Sequence, residues 1–163
     1  MNIEYVRKKE RLYCQGNELL IYSLDVPVFE GAQEINSFYS SIVDECEKYC
    51  KGELFDRLCA EVGRKRYSYR LVCKVTYADT DVASVIIFAC LRSGKQSFQE
   101  YVNAHTWELG SMLLLPPEYV WRWGKGDKKV KKEDLEGVFI DEGKVKNIRE
   151  VDIADLLSSS RDK

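Results

Sequence analysis

Two consecutive stretches, residues 67–78 and 82–92, limit the possible folds of this chain more than any other feature of its sequence. In the first, apolar and aromatic side chains alternate with polar ones, which is typical of a β-strand with one buried face. The second is β-branched and apolar on both faces, which predicts a strand covered on both sides. Between them, Asp79-Thr80-Asp81 is typical of a tight chain reversal. The two stretches therefore predict antiparallel neighbours at the centre of a sheet.

Further strands are expected on both sides of this pair. A third strand is predicted from residue 96 to about Trp107, so that the central strands as a group span residues 67–115. Residues 3–29 are predicted to form an N-terminal hairpin. Pro27 cannot donate to a ladder, so the end of the second arm should lie at an edge or a bulge.

One long amphipathic helix is predicted over residues 33–62. Apolar side chains recur there at steps of three and four residues, with charged side chains opposite, as in a helix packed by one face. Gly52 costs about 1 kcal/mol relative to alanine in a helix interior, so we expect a kink or break there. These elements predict an α+β fold, in which an antiparallel sheet of about five or more strands has this helix packed across one face.

The C-terminal part is expected to be less regular. Pro116-Pro117 ends any ladder, and residues 118–123 fit either a helical turn or an extended piece. Residues 121–132 are predicted to form a basic, glycine-containing loop, and residues 137–157 a hairpin followed by a short helix. A chain of 163 residues suits one sizeable core, so we expect a single domain over residues 1–163.

Charge and composition narrow the partners and the compartment. The formal net charge of -2 argues against nucleic acid and acidic membranes as partners. No run approaches the roughly 20 apolar residues of a membrane span, and the N-terminal residues lack the apolar core of a signal peptide. We therefore expect a cytoplasmic protein, and the alternative is an ectodomain separated from its own anchor, which would have the same features.

Six cysteines would predict disulfides in a small secreted chain. Most of them occupy faces predicted to be buried, so we expect free thiols that act as small hydrophobes. Cys46 and Cys50 share a helical face and would suit half of a zinc site. Paired CxxC motifs are absent, so the sequence favours no metal and no other cofactor. The cysteines are Cys14, Cys46, Cys50, Cys59, Cys73 and Cys90.

Several motifs follow one another in a familiar order: VPVFEG, then INSFY in the helix, then YSYRLVCKVTYADTDVASVIIFACLRSG, AHTWELGSM and VDIADLL. Over about residues 18–157, this order resembles a family of uncharacterised bacterial domains. That family includes the extracytoplasmic sensing region of lysozyme-responsive anti-sigma factors and the accessory region beside some peptidoglycan deacetylase domains. The resemblance implies an antiparallel sheet with a helix across it and a protein- or ligand-binding role, with no catalytic residue.

Five side chains are candidate ligand contacts. Tyr101, His105 and Trp107 share one face of the third strand, where an aromatic row suits a saccharide or peptide groove, although such a row is more often core beneath a helix. Trp121 and Trp123 precede the lysine-rich segment, and exposed tryptophan is a common interface anchor. We therefore predict a non-catalytic binding module for a protein or a cell-wall-type saccharide ligand, with a homodimer left open.

Two other functions compete with this prediction. His105 is the only histidine, so any acid–base or Cys–His enzyme mechanism would depend on it. No nucleophile motif such as GxSxG accompanies it. Residues 121–132 combine tryptophan with lysine, as single-stranded nucleic-acid sites do. The rest of the chain is not basic, which argues against that reading.

Overall fold

The computed structural model describes residues 1–61, 65–152 and 154–155. Over these residues the chain has the predicted α+β fold, with a six-stranded, mostly antiparallel sheet in the order β1-β2-β3-β4-β5-β6, a long helix and a small second sheet. The strands of the large sheet are β1 (Ile3–Cys14), β2 (Asn17–Phe29), β3 (Tyr67–Ala78), β4 (Val82–Ser93), β5 (Gln96–Glu108) and β6 (Leu113–Leu114).

The three central strands pair as the sequence predicts. β3, β4 and β5 are antiparallel neighbours in chain order, and β4 is buried along nearly its whole length. In the turn before β4, the Asp79 carboxylate accepts the N–H groups of Asp81 at 2.7 Å and of Val82 at 2.8 Å. The acidic turn therefore serves the backbone, as such residues commonly do.

β2 and β3 pair in parallel, which departs from the antiparallel sheet predicted for the chain. The long helix connects them, and parallel neighbours need such a crossover. Their pairing ends at Asp25 of β2, two residues before Pro27. Beyond that point β3 no longer pairs with β2, although it still pairs with β4. The N–H of Val75 donates instead to the hydroxyl of Tyr5 in β1, at 3.0 Å.

The long helix consists of α1 (Gln33–Tyr49), a π-helical turn (Cys50–Leu54) and α2 (Phe55–Cys59). The irregular turn contains Gly52, where the sequence predicted a weak point. Val62, the predicted last residue, lies outside the described residues. The buried side chains of its apolar face include Ile35, Tyr39, Cys50, Leu54 and Leu58.

This helix crosses the large sheet diagonally. Near its start, the Phe38 ring lies 5.0 Å from the Trp107 ring of β5. In its middle, Glu47 accepts a hydrogen bond from Tyr22 of β2 at 2.7 Å. At its end, Cys59 meets Cys14 of β1. Among the described residues, this diagonal leaves no helix over the first half of β5.

The C-terminal residues pack on the opposite face of the large sheet. β7 (Val138–Asp141) and β8 (Lys144–Asn147) form a hairpin. The N–H of Ile140 donates to Ser84 Oγ at 3.0 Å, and Thr76 Oγ1 donates to the Ile140 carbonyl at 2.6 Å, which ties this hairpin to β4 and β3. The short helix predicted to follow, over residues 152–157, falls partly on residues outside those described.

Residues 121–132 do not form one loop, contrary to the sequence prediction. Their first part belongs to α3 (Pro117–Lys125), and α4 (Lys132–Leu135) begins at their end. Proline is well tolerated in the first turn of a helix, because its missing N–H would have had no helical acceptor. Val120 is buried against the small sheet and fixes α3 there. The proline pair therefore starts a helix as well as ending the ladder.

Candidate functional site

The outer edge of β5 is the candidate site. On its inner side, β5 pairs with β4 along its whole length. On its outer side, β6 pairs only with Trp107 and Glu108. Over the part of the chain that the structure describes, no strand covers the outer edge of residues 96–105. An unpaired edge of this kind presents backbone donors and acceptors to any strand that can lie beside it.

Two hydrogen bonds show which backbone groups of β5 point outward. The N–H of Leu109 donates to the carbonyl of Asp81 at 2.8 Å, so odd-numbered residues from 99 to 109 face β4. The N–H of Leu115 donates to the carbonyl of Thr106 at 2.8 Å, so even-numbered residues from 100 to 108 face away from β4. This alternation is the normal pattern of an antiparallel ladder. The outward-facing residues of the uncovered edge therefore include Glu100, Val102 and Ala104.

Asn103 closes one end of this edge. Its Oδ1 accepts the N–H of Ala104 at 2.8 Å, and its amide donates to the Tyr101 hydroxyl at 3.1 Å. The outward donor of Ala104 is therefore already occupied by a side chain. The backbone open to a partner strand is the segment of residues 98–102.

Two exposed aromatic rings stand beside that segment. Phe98 is 50% exposed and Tyr101 is 53% exposed. The Phe98 ring lies 6.0 Å from the ring of Tyr67, and both exposed residues border a shallow depression floored by Tyr69 and Ala89. Large exposed rings next to an open backbone edge are typical of an interaction surface. We call residues 98–102, with these two rings, the β5 edge site.

A β-bulge orients Phe98 toward this site. Leu91 pairs with Gln99 and Arg92 pairs with Ser97, which leaves Phe98 as an extra residue in β5. A bulge of this kind re-aims a side chain and commonly lies at a sheet edge. Simple alternation would put Phe98 on the face opposite Tyr101, so sequence analysis missed it. The signal available was the near absence of charge between Gln96 and His105.

Trp107, predicted as a ligand contact, is part of the core. It is 6% exposed, and its indole N–H donates to the Tyr39 hydroxyl at 2.8 Å. Burial raises the pKa of Tyr39, as expected for a hydroxyl enclosed between the helix and the sheet. Trp107 therefore cannot contact a ligand without opening this packing. At the Trp107 end of β5, the aromatic row is part of the core beneath the helix, which is the alternative that the sequence left open.

His105 is half-buried under the helix. Its ring lies edge-on to Phe38 with the centroids 5.3 Å apart, and its Nδ1 is buried without a hydrogen-bond partner among the described residues. Burial lowers the pKa of His105, because the charged imidazolium loses its hydration. Tyr101 lies on the same face of β5 as His105, but its side chain is exposed to solvent. The predicted row is thus split into an exposed end and a covered end.

Trp121 and Trp123 lie on α3, on the other face of the large sheet. The indole N–H of Trp121 donates to the carbonyl of Lys128 at 3.2 Å. The Trp123 ring packs at 5.8 Å from the ring of Tyr77 and is 39% exposed. These contacts tie the lysine-rich segment to α3, and α3 to β3 of the large sheet. The tryptophans and the β5 edge site are therefore two separate surfaces.

The thiols are distributed between the core and its margin. Cys50, Cys73 and Cys90 are buried, the other three are half-buried, and none is in a disulfide. Burial raises the pKa of Cys50 and of Cys73 to about 12, which keeps both protonated at neutral pH. The described ranges contain no group of three or more His, Cys, Asp or Glu side chains that could hold a metal ion.

Solved structures provide a comparison for the fold. No family model matches the chain, and no curated protein matches it significantly. A DUF3298 family protein from Pseudomonas aeruginosa PAO1 is 12% identical, with a TM-score of 0.52 over 72% of this chain and 56% of its own. A DUF3298 family member from Bacteroides fragilis NCTC 9343 is 14% identical, with a TM-score of 0.49 over 82% of this chain and 71% of its own.

This likeness concerns the fold. The chain spans just over half the length of the Pseudomonas protein, 56% of it. Among the described residues, none of the helices combines the length and the apolar character that crossing a bilayer requires. At this identity the match shows the fold alone, and it carries no ligand or activity. The chain thus shares the fold of a DUF3298 family protein.

Proposed function

We propose that this chain is a non-catalytic protein-binding module that pairs an extended segment of its partner with the outer edge of β5. The observation that supports this best is the unpaired backbone of residues 98–102 beside Phe98 and Tyr101. In strand addition of this kind, main-chain hydrogen bonds supply affinity, and neighbouring side chains supply selectivity.

The geometry of the edge favours a peptide over a saccharide. Its outward N–H and C=O groups recur at strand spacing, which only another extended backbone matches along its length. A saccharide groove along the aromatic row would have used Trp107, which is buried. The cell-wall-type ligand predicted from the sequence is therefore the less favoured of the two.

The side chains around the edge indicate the chemistry of the partner segment. Glu100 is the only charged residue between Gln96 and His105. Alternate residues of an added strand would face Phe98 and Tyr101, where apolar contacts exclude water. We therefore expect a partner segment with apolar or aromatic side chains at every second position and no proline in its paired stretch.

The test uses a displayed library of random peptides selected on the wild-type chain. Binding of the selected peptides is then measured on a Phe98→Ala/Tyr101→Ala variant and on a Glu100→Pro variant. The first variant removes the rings, and the second removes an outward N–H without removing a bond to β4. We expect each variant to weaken binding at least tenfold, because interface anchors of this kind commonly contribute more than about 1.4 kcal/mol.

A Lys9→Ala variant, on β1 at the opposite edge, is the matched control and should bind the selected peptides like wild type. Equal binding to all variants, or selected peptides without alternating apolar residues, would contradict the proposal. Light scattering at the binding concentrations separates peptide binding from self-association through the same edge. That measurement also tests the homodimer left open by the sequence.

The other functions considered from the sequence have less support. The tryptophans of residues 121–132 are engaged with Lys128 and Tyr77, so neither offers a fully open face to a nucleobase. His105 packs on Phe38 and lies under the helix, so we assign it a packing role. A cytoplasmic location stays a prediction of the sequence.

A further inference from the structure

Two of the thiols touch each other at one corner of the fold. Cys14 ends β1, and Cys59 ends the long helix, 45 positions later in the chain. Their Sγ atoms are 2.8 Å apart, with the Cys59 S–H donating to Cys14 Sγ. Both residues are half-buried. Among the other cysteines, Cys46 instead contacts the Tyr69 hydroxyl, at 3.9 Å.

The spacing of the two sulfur atoms suits a covalent bond. A disulfide holds its sulfur atoms about 2.05 Å apart, so Cys14 and Cys59 need to approach by less than about 1 Å. Cys14 adjoins the turn at Gln15 and Gly16, both of which have positive φ. Cys14 is the last residue of β1, and Cys59 is the last residue of α2. Each therefore has regular structure on one side only, so a small shift of either sulfur atom toward the other disturbs little of the ladder or of the helix.

A reagent can reach this pair from solvent. Cys14 and Cys59 line a cleft of about 810 Å³ between the β1–β2 turn and the end of the helix. Lys65 lines the same cleft and is exposed. Arg66, Glu18 and Glu61 line it as well, so charges of both signs surround the cleft. The cleft therefore gives an oxidant access to the sulfur atoms.

We propose that Cys14 and Cys59 form a reversible redox site, in which a small-molecule disulfide oxidises them to an intramolecular disulfide. The Cys14 thiolate attacks one sulfur of the small disulfide, forms a mixed disulfide and releases one small thiolate. Cys59 then attacks Cys14 Sγ, and its proton passes to a small thiolate. The bond from Cys14 to the small molecule breaks, so two protein thiols are oxidised and one small disulfide is reduced to two thiols.

The hydrogen bond between the two thiols assigns their roles in this exchange. Its acceptor, Cys14, raises the pKa of Cys59 to about 11, so Cys59 holds its proton at neutral pH. Cys14 is the acceptor in that contact and, among the described residues, is not held by a proton shared with another sulfur donor. Cys14 is therefore the sulfur that attacks first, and Cys59 is the resolving thiol.

The bond would join the tip of the N-terminal hairpin to the end of the long helix. Cross-linking positions 45 apart removes conformations from the unfolded chain, and the stabilisation grows with the length of the closed loop. For a chain of this size we expect oxidation to raise the midpoint of thermal unfolding by about 10 °C.

The test incubates the wild-type chain with glutathione disulfide and maps its cysteines by mass spectrometry without reduction. We expect a peptide pair joined through Cys14 and Cys59, its loss on adding dithiothreitol, and the rise in the thermal midpoint described above. Cys14→Ser and Cys59→Ser variants should lose both effects. Cys46→Ser, at a half-buried thiol that contacts the Tyr69 hydroxyl, should retain both.

Two results would overturn the proposal. One is a wild-type chain in which Cys14 and Cys59 stay open to alkylation after prolonged exposure to excess glutathione disulfide. The other is a cross-link between a different pair of cysteines in the folded chain. The map of the wild-type chain decides the matter even if a serine variant fails to fold. None of these measurements involves the β5 edge site, so the two proposals fail separately.

Discussion

The two edges of the large sheet are built from different residues. β1 forms one edge and carries five consecutive charged residues, Arg7, Lys8, Lys9, Glu10 and Arg11. The uncovered part of β5 forms the other edge and contains only Glu100 as a charged residue. Charged side chains along an edge discourage pairing with another strand. The comparison indicates that one edge is protected against strand addition and the other is available for it.

The charges of β1 also take part in packing. Lys8 pairs with Glu47 of the long helix at 2.7 Å. Arg7 pairs with Asp25 of β2 at 2.7 Å. The side chains that protect this edge therefore help to hold the helix and β2 in place. Among the described residues, the first half of β5 makes no comparable ion pair with the helix, because the diagonal helix covers only the far end of β5.

The largest effect is expected from proline at two adjacent positions of β5. Tyr101→Pro removes an N–H that faces β4, so it should lower the free energy of unfolding by about 3 kcal/mol or more. Glu100→Pro removes an N–H that faces solvent, so its loss should stay below about 1 kcal/mol. Urea denaturation of both variants measures the difference. Equal losses would show that the outer edge of β5 is not open.

A smaller effect is expected at the charged edge. Arg7→Met leaves the Asp25 carboxylate, whose side chain is 12% exposed, without its cationic partner. Arg7 itself is largely exposed, so solvent screening keeps the expected loss of stability at about 1 kcal/mol. Lys9→Met is the matched control and should change stability by less than about 0.5 kcal/mol. If both variants behave alike in urea, the charges of β1 serve only to protect the edge.

The smallest effect is expected at His105, which marks the covered end of β5. Burial lowers the pKa of His105 below its ordinary value of 6.5, so the unfolded chain binds this proton first as the pH falls. The resulting stability is complete above about pH 6.5 and declines as the pH drops below it. A His105→Asn variant should therefore show a weaker loss of stability between about pH 7 and pH 5 than wild type. Identical pH profiles would mean that this end is as open to water as Tyr101.

Much of the fold could be predicted because its signals are local. Alternation over residues 67–78 and the apolar run of residues 82–92 identify neighbouring strands, and the three- and four-residue steps after Gln33 identify the helix. Gly52 indicated the irregular turn, because glycine has a lower helix propensity than the other residues around it. The parallel pairing of β2 with β3 has no such signal, because it depends on the path of the crossover.

The candidate site was predicted only in part. Tyr101 was singled out from the sequence and lies in the site, whereas Trp107, on the same strand face, is covered by the helix. The pattern that places both residues on one face holds no information about how far the helix reaches. Phe98 was missed because one extra residue in β5 reverses the alternation.

The order of residues settles which segments become strands and helix, because side-chain periodicity acts within a few positions of the chain. It also sets the contrast in charge between β1 and β5. The strand order decides which edge stays open, whereas the diagonal of the long helix across the sheet decides which aromatic rings reach solvent and brings Cys14 to Cys59. That diagonal results from packing between residues far apart in sequence, which no local pattern records.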